Sequence, residues 1–431
     1  MAMTTNVPNT TATTTAPSGN YKSALVVVTT LFFMWGFLTC LNDILVPHLK
    51  PIFDLSYAKI MFIQFAFFSA YFLFSVPMGK IVEWIGYKWT MVAGLFTMGA
   101  GAILFIPAAA VPSYPLFLVA LMVLAGGITA LQVAANPYVA VLGPAKTASS
   151  RLNLAQAFNS LGTTIAPYIG GLFILSTAPK SMDEIRQMSS DVLQAYRLQQ
   201  ASSIKGPYLA LGLIAIALGI AIAAFKLPPV PEAERHTGDR SSHTSLWKYR
   251  NLVLGAVGIF VYVGAEVSIG SFMVNYLSQP NIGHLAEKVA AGYLSFYWGG
   301  AMVGRFIGSA ILQKVQTGIV LGTAAIVACL LVVVSMLSVG PLAMWSILLV
   351  GFFNSIMFPS IFTLGIAKLG PLTGEGSGIM IMAIVGGAVV PVVVGVLADR
   401  IGIHHSFILP AICYLYIVYY GFRGSVPLRT A

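Results

Sequence analysis

The feature that most constrains this chain is a series of long apolar stretches separated by short polar connections. The hydrocarbon core of a bilayer is about 30 Å thick, and an α-helix needs about 20 mainly apolar residues to cross it. Only helices and closed barrels satisfy their backbone hydrogen bonds in lipid. We therefore predict an all-α integral membrane protein of twelve transmembrane helices, at 24–47, 58–82, 89–109, 115–142, 151–176, 207–225, 251–277, 288–312, 317–338, 342–367, 374–397 and 405–422.

The composition agrees with this class and excludes others. The chain is 58% hydrophobic and 8% charged, whereas a soluble domain carries about 25% charged residues. Its net charge of +10 comes from bases scattered at the ends of apolar stretches, so we expect no nucleic-acid partner. The three cysteines match no metal-ligand or disulfide spacing, and we expect no metal and no cofactor.

Two longer connections organise the chain. The connection at 177–206 is polar and charged with a helical pattern, whereas 226–250 is rich in proline, serine and charge, which is typical of a linker. These features predict a disordered tail at 1–22, a six-helix half at 23–225, a linker at 226–250, a second six-helix half at 251–422 and a tail at 423–431.

The basic residues predict the orientation. With the N-terminus in the cytoplasm, fifteen of the 23 Lys and Arg residues fall on the cytoplasmic side. Cytoplasmic loops carry the excess of positive charge in membrane proteins. We therefore expect a multi-pass protein of a bacterial inner membrane, with both termini and the linker in the cytoplasm.

The two halves are internally similar. Pro137 and Pro359 are 222 positions apart, and Pro167 and Pro391 are 224 apart, each pair in a similar local sequence. A nearly constant offset across several helices indicates a duplicated six-helix unit. Two such halves, related by an axis along the membrane normal, are the arrangement of major facilitator transporters.

Two carboxylates obey the same offset. Asp43 and Glu266 are 223 positions apart, and each lies well inside an apolar stretch. An intramembrane acid is costly and usually faces a protein interior or a water-filled path. We predict that both face the interface between the halves and couple transport to protons, with Asn42 beside Asp43 and Glu266 also binding substrate. A structural hydrogen bond to a neighbouring helix remains the alternative.

Four side-chain amides form a second polar group. Gln132 and Asn136 share one helix face at spacing i,i+4, and Gln156 and Asn159 share another at i,i+3. Amides both donate and accept hydrogen bonds, as sugar hydroxyls do. The set therefore predicts a polar cavity suited to a sugar, although amides also hold helices together in membranes.

Aromatic residues complete the predicted cavity. Trp298 and Tyr297 lie in the middle of the eighth stretch, where a ring can stack on the apolar face of a sugar, and Asn354 adds a polar group in the tenth stretch. Tyr and Trp near helix ends are often interfacial instead.

The sequence GKIVEWIGYK, after the second stretch, resembles the loop signature of the major facilitator superfamily. It contains Gly79, Glu83 and Lys88, which we predict to act in gating. Glu83 can interact with basic groups or with a helix N-terminus and so hold the cytoplasmic side closed. An ordinary charged turn is the alternative.

Four segments together resemble one family. FFMWGFLTCLNDILVPHLK, LQVAANPYVAVLGP, SSRLNLAQAFNSLGTTIAP and FPSIFTLGIAKLG are similar to the fucose–galactose–glucose–proton symporter family of the major facilitator superfamily. The similarity covers about residues 24–422. It implies twelve helices, a central sugar site and alternating access driven by protons.

The resemblance also assigns roles. Asp43 matches the proton-coupling acid of the family's LND motif, and Gln156 and Asn159 match its sugar-contacting positions. Gln132 stands where fucose carriers have a Glu, and Glu266 where they have a Gln. That exchange resembles the glucose/galactose and N-acetylglucosamine branch, so a neutral hexose or amino-hexose is the expected cargo rather than fucose.

Other functions remain open at this point. Sodium coupling and a sugar receptor that does not transport are both compatible with the pattern. A membrane-embedded enzyme is disfavoured, because the histidines fall in loops or at segment ends and no phosphate loop is present. We expect a monomer in the lipid bilayer, with a sugar and protons as its small-molecule partners.

Overall fold

The computed structural model describes residues 21–53, 57–110, 113–173, 184, 187–230 and 245–426. The regular elements in these ranges are all helical. The first half contains α1 Tyr21–Phe53, α2 Tyr57–Ala110, α3 Tyr114–Val141, α4 Ala148–Phe173, α5 Ser190–Ser203 and α6 Lys205–Ala224. The second half contains α7 Arg250–Leu277, α8 Glu287–Ile311, α9 Thr317–Leu337, α10 Gly340–Asn354, α11 Met357–Gly365, α12 Thr373–Met382, α13 Gly386–Ile401, α14 Ile403–Ser406 and α15 Ile408–Tyr419.

These helices make the twelve predicted crossings. Nine stretches within the described residues are long and apolar enough to span a bilayer. One of them lies in α2, whose backbone turns at Gly86 (φ 76°), so that α2 holds two crossings. The amphipathic helices α4 and α8 supply the remaining two. Glycine tolerates a positive φ at the Gly86 turn because it has no Cβ.

Three crossings of the second half are interrupted. The tenth is divided into α10 and α11, and the eleventh into α12 and α13 by a short 3₁₀ turn at Ala383–Val385. The twelfth consists of α14 and α15. Breaks of this kind are tolerated in membranes where neighbouring helices satisfy the freed backbone groups.

Apolar side chains cover the outside of the bundle as well as its interior. Ile220, Phe296, Leu330, Val392 and Ile412 each expose more than half of their surface. On a soluble protein such a surface would be an aggregation hazard. Toward lipid it has no such cost, because hydrocarbon chains are as apolar as these side chains.

The two longer connections are described only in part. The helix α5 lies in the 177–206 connection, which has a helical pattern in the sequence. The predicted disordered tail falls on residues 1–20, outside the described residues, apart from Tyr21 and Lys22, which begin α1. Residues 231–244 of the linker also lie outside them.

The two halves meet mainly through two helix pairs, α4 with α8 and α2 with α12, and also through α4 with α11 and α3 with α12. The first turns of α4 make most of the described hydrogen bonds between the two halves. Ser149 lies 2.6 Å from the Thr363 hydroxyl, and Ser150 donates to the Ser309 carbonyl at 2.7 Å. We call this end of the bundle, at which α6 ends and α7 begins, the linker end. The halves are packed together there.

Candidate functional site

A network of buried polar groups lies in the second half. The Tyr262 hydroxyl donates to Glu266 Oε1 at 2.8 Å and lies 3.0 Å from the Asn354 carbonyl. The Asn354 amide donates to the Tyr297 hydroxyl at 2.9 Å. Tyr262, Tyr297 and Asn354 are almost fully buried, whereas Glu266 keeps part of its surface accessible. The Tyr262 hydroxyl therefore fixes the position of the Glu266 carboxylate. Because Glu266 is only partly buried, the carboxylate can also accept a hydrogen bond from a bound molecule.

The structure brings three of the predicted amides together in the first half. The Gln156 amide, on α4, donates to Asn136 Oδ1, on α3, at 3.3 Å. The Gln132 amide lies one turn from Asn136 and donates to the Tyr71 hydroxyl at 2.9 Å. The Asn136 Nδ2 group is buried and has no hydrogen-bond partner within the described residues. A buried donor of this kind costs about 1–3 kcal/mol unless a water or a ligand completes it.

Asn159 has a more structural position. Its amide donates to the Phe32 carbonyl of α1 at 3.0 Å, and the Asn159 backbone packs against Gly36. This bond joins α4 to α1, as expected for an amide that holds helices together. The side-chain oxygen Oδ1 of Asn159 remains the group with which Asn159 can contact a substrate.

Trp298 lies on the face of α8 that is turned toward α4. Residues Trp298, Met302, Arg305 and Ser309 recur every three or four positions, which places them on one helix face. Met302 contacts Thr164, and Ser309 contacts Ser150, so the two helices run alongside each other.

The Trp298 ring is 42% exposed and packs at the edge of Tyr297, with ring centroids 5.0 Å apart. It also covers Gly270, one turn from Glu266 on α7, where an added Cβ would lie 3.1 Å from Trp298 Cζ2. The arrangement gives an accessible aromatic face beside the carboxylate. Such a face suits the apolar C–H surface of a sugar ring.

Arg305 connects the two halves. Its Nε donates to the Ser355 carbonyl at 3.3 Å, and its Nη1 donates to the Gln156 carbonyl at 3.4 Å and to the Ser160 hydroxyl. The Ser355 carbonyl follows that of Asn354, which lies 3.0 Å from the Tyr262 hydroxyl that donates to Glu266, so Arg305 and Glu266 are joined through this stretch of backbone. The guanidinium therefore links the amide cluster of the first half to the carboxylate network of the second.

The predicted gating residues lie at the linker end. Gly79 packs against Gly374 of α12, where an added Cβ would lie 2.8 Å from the Gly374 carbonyl oxygen. Glu83 lies beside the same first turn of α12, because a Cβ on Gly374 would be 3.5 Å from Glu83 Cγ. Lys88 instead donates to the Ala223 carbonyl at 2.8 Å and so caps α6 within the first half.

Asp43 and Asn42 lie in α1, but their side chains are outside the described ones. Their roles therefore stay predictions from the sequence.

The hydrogen-bonding role of Tyr262 and the contribution of Arg305 to the site were not predicted from the sequence. Tyr262 is i−4 to Glu266 on the same helix face, so a search for hydrogen-bond donors one turn from each membrane acid would have found it. Arg305 was counted with the basic residues that set topology, but it lies seven residues inside the predicted crossing 288–312, so a search for charged residues within crossings would have found it.

Comparisons with known proteins identify the family and the fold. Residues 24–384 match the family model for the Major Facilitator Superfamily. The chain is 52% identical to the glucose/galactose transporter of Brucella abortus biovar 1 (strain 9-941), over 98% of this chain and 100% of the relative. It is 34% identical to the L-fucose-proton symporter of Escherichia coli K12, over 95% and 94%. A crystal structure of FucP, a major facilitator transporter in the outward conformation, matches with a TM-score of 0.87 and 34% identity, covering 93% of this chain and 98% of that one.

The fold and these relatives thus define a membrane transporter built from two six-helix halves, and not an enzyme. More specifically, the chain belongs to the fucose–galactose–glucose–proton symporter family of the major facilitator superfamily, as the sequence motifs predicted.

Proposed function

We propose that this protein imports a neutral hexose or amino-hexose together with protons, by alternating access. Glucose, galactose and N-acetylglucosamine are the favoured cargoes. The observation that carries the proposal is the pairing of an acceptor network around Glu266 with the amide cluster of Gln156 and Asn136, one in each half. A sugar bound between the halves can bond both and thereby joins them.

The groups available match the chemistry of a sugar. Glu266 accepts from a hydroxyl, the unpartnered Asn136 donor serves a hydroxyl oxygen, and the Trp298 ring covers an apolar face. A site built to hydrogen-bond hydroxyls rejects analogues that lack them, because its own buried groups are then left unpaired. The 52% identity to a protein named a glucose/galactose transporter supports glucose or galactose over the deoxyhexose fucose.

Proton coupling is assigned mainly to Asp43. An acid within the membrane can take up a proton on one side and release it on the other as access alternates. Proton and sugar binding are then linked reciprocally. The 34% identity to a protein named an L-fucose-proton symporter supports protons as the coupling ion, whereas sodium is the competing proposal.

The packed linker end is proposed to be the cytoplasmic end, with both termini and the linker on that side. The basic residues support this orientation through the excess of positive charge on cytoplasmic loops. In that orientation the state described here is closed to the cytoplasm, which agrees with the match to a transporter in its outward conformation.

A competition screen of hexoses on the purified protein tests the cargo. Displacement of labelled galactose by glucose or N-acetylglucosamine, but not by fucose, is the expected result. Uptake into liposomes with an imposed pH gradient, with and without sodium, then tests the coupling. Uptake that needs sodium and ignores the pH gradient would refute proton coupling, and sugar binding without any net flux would indicate a receptor.

The variant Glu266→Gln tests the site itself. It keeps the shape of the side chain but removes the charged acceptor, so we expect sugar affinity to fall about ten- to a hundredfold, since a hydrogen bond to a charged group contributes about 1.5–3 kcal/mol. Unchanged affinity in a folded variant would place the sugar elsewhere.

A further inference from the structure

The guanidinium of Arg305 has hydrogen-bond partners in both halves of the protein. The Gln156 carbonyl and the Ser160 hydroxyl belong to α4, in the first half, whereas the Ser355 carbonyl belongs to the second half with Arg305 itself. All three are uncharged oxygen atoms. Glu266 also belongs to the second half, and its Tyr262 donor lies 3.0 Å from the Asn354 carbonyl, next to the Ser355 carbonyl that Arg305 contacts.

Alternating access moves one half against the other largely as rigid bodies. When the linker end opens, α4 must separate from α8, because the Ser150–Ser309 and Asn153–Arg305 contacts lie on the same interface. Arg305 then loses both of its α4 partners. Ser355 stays in contact with it and Glu266 moves with it, because both are carried by the same half.

A guanidinium released within a membrane protein needs new acceptors. Arginine has five N–H donors, stays charged, and pairs best with a carboxylate. In the described part of the second half, the carboxylate joined to the surroundings of Arg305 is Glu266, through the Tyr262 hydroxyl and the Asn354–Ser355 backbone. A bond between the two uses the same oxygen atoms that the sugar hydroxyl needs.

We propose that Arg305 is a positioning residue that lowers the affinity for sugar at the linker end by competing for Glu266 once α4 has moved away. In the state described here α4 holds the guanidinium, and Glu266 is free to accept a sugar hydroxyl. In the opposite state Arg305 occupies Glu266 and the sugar is released. This inference rests on the proposed function, because it assumes that Glu266 binds the sugar.

The experiment measures the half-saturation concentration at each face separately. Right-side-out and inside-out membrane vesicles are supplied with labelled galactose and, in parallel, labelled N-acetylglucosamine. For Arg305→Gln we expect the half-saturation concentration at the linker end to fall about tenfold, which corresponds to about 1.4 kcal/mol. Arg305→Lys keeps the charge and should stay close to the wild-type value at that face.

Arg305→Gln also removes contacts that hold the linker end closed, so a control must separate that effect. Ser160→Ala removes one of these contacts and leaves the charge in place. Ser160→Ala changes the equilibrium between the open and closed states of the linker end, but Arg305 can still compete with the sugar for Glu266. The half-saturation concentration at the linker end should therefore change much less than tenfold. A similar decrease in Ser160→Ala would overturn the proposal in favour of a simple latch.

A double-mutant cycle gives the sharpest result. In a Glu266→Gln background there is no carboxylate to compete for, so adding Arg305→Gln should leave the linker-end value unchanged. A further tenfold decrease in that background overturns the proposal. If Glu266→Gln alone leaves the half-saturation concentration unchanged at both faces, the proposed sugar site is wrong. This outcome differs from a failure of the proposed competition, in which Glu266→Gln weakens sugar binding but Arg305→Gln has no effect at the linker end.

Discussion

Gly378 of α12 packs directly against the backbone of α2, and the size of the clash that a larger residue would make there can be worked out from the structure. A Cβ on Gly378 would lie 2.7 Å from the Ser75 carbonyl oxygen and 3.3 Å from Val76 Cα. These are backbone atoms of α2, so no side chain can rotate away. Overpacking of this kind costs about 1–3 kcal/mol. The cost applies only while the linker end is closed, so Gly378→Ala should shift the conformational equilibrium toward the opposite state about 5- to 150-fold.

The matched control is Gly299→Ala on α8, where an added Cβ meets no atom within 4 Å. Both substitutions gain about 1 kcal/mol of helix propensity, and that gain is the same in the two states. The control therefore isolates the clash from the general effect of replacing a helical glycine.

The assay is alkylation of a cysteine introduced as Ser150→Cys in a variant whose three natural cysteines are replaced by alanine. Ser150 is 4% exposed at the closed contact, so a maleimide reaches it only when the halves separate. In inside-out vesicles we expect Gly378→Ala to increase the rate at least fivefold over Gly299→Ala. Equal rates in the two variants would show that α2 and α12 do not need this close approach for closure.

Three further outcomes are expected. Asp43→Asn mimics the protonated acid, so sugar–sugar exchange in liposomes should persist while accumulation driven by a pH gradient is lost; a variant that still concentrates sugar would refute the assignment. Gly270→Ala displaces the Trp298 ring by a few tenths of an ångström and should weaken sugar binding about two- to tenfold, measured on purified protein; unchanged affinity would exclude stacking by this ring. A reporter fused within 226–250 should be cytoplasmic and one within 177–206 external, and the reverse result would invert the direction of transport.

The twelve crossings and the duplicated halves could be predicted because both depend on local properties. The length of an apolar stretch is compared with the thickness of the bilayer, and a repeat is visible in the spacing of prolines and acids. The grouping of Gln132 with Asn136 was also predictable, since residues four apart share a helix face. Even the kinked α2 agrees with two predicted segments, because Gly86 lies between them.

The tertiary structure decided which of these polar groups meet. Spacing along one helix does not determine how that helix is rotated against a partner distant in sequence. The sequence could not show that the Asn159 amide is bonded to the Phe32 carbonyl, or that Lys88 caps α6. Arg305 is the clearest case. Its position inside the predicted crossing 288–312 shows a charge within the membrane, but only the packing of α8 against α4 places its guanidinium against the Gln156 carbonyl and the Ser160 hydroxyl.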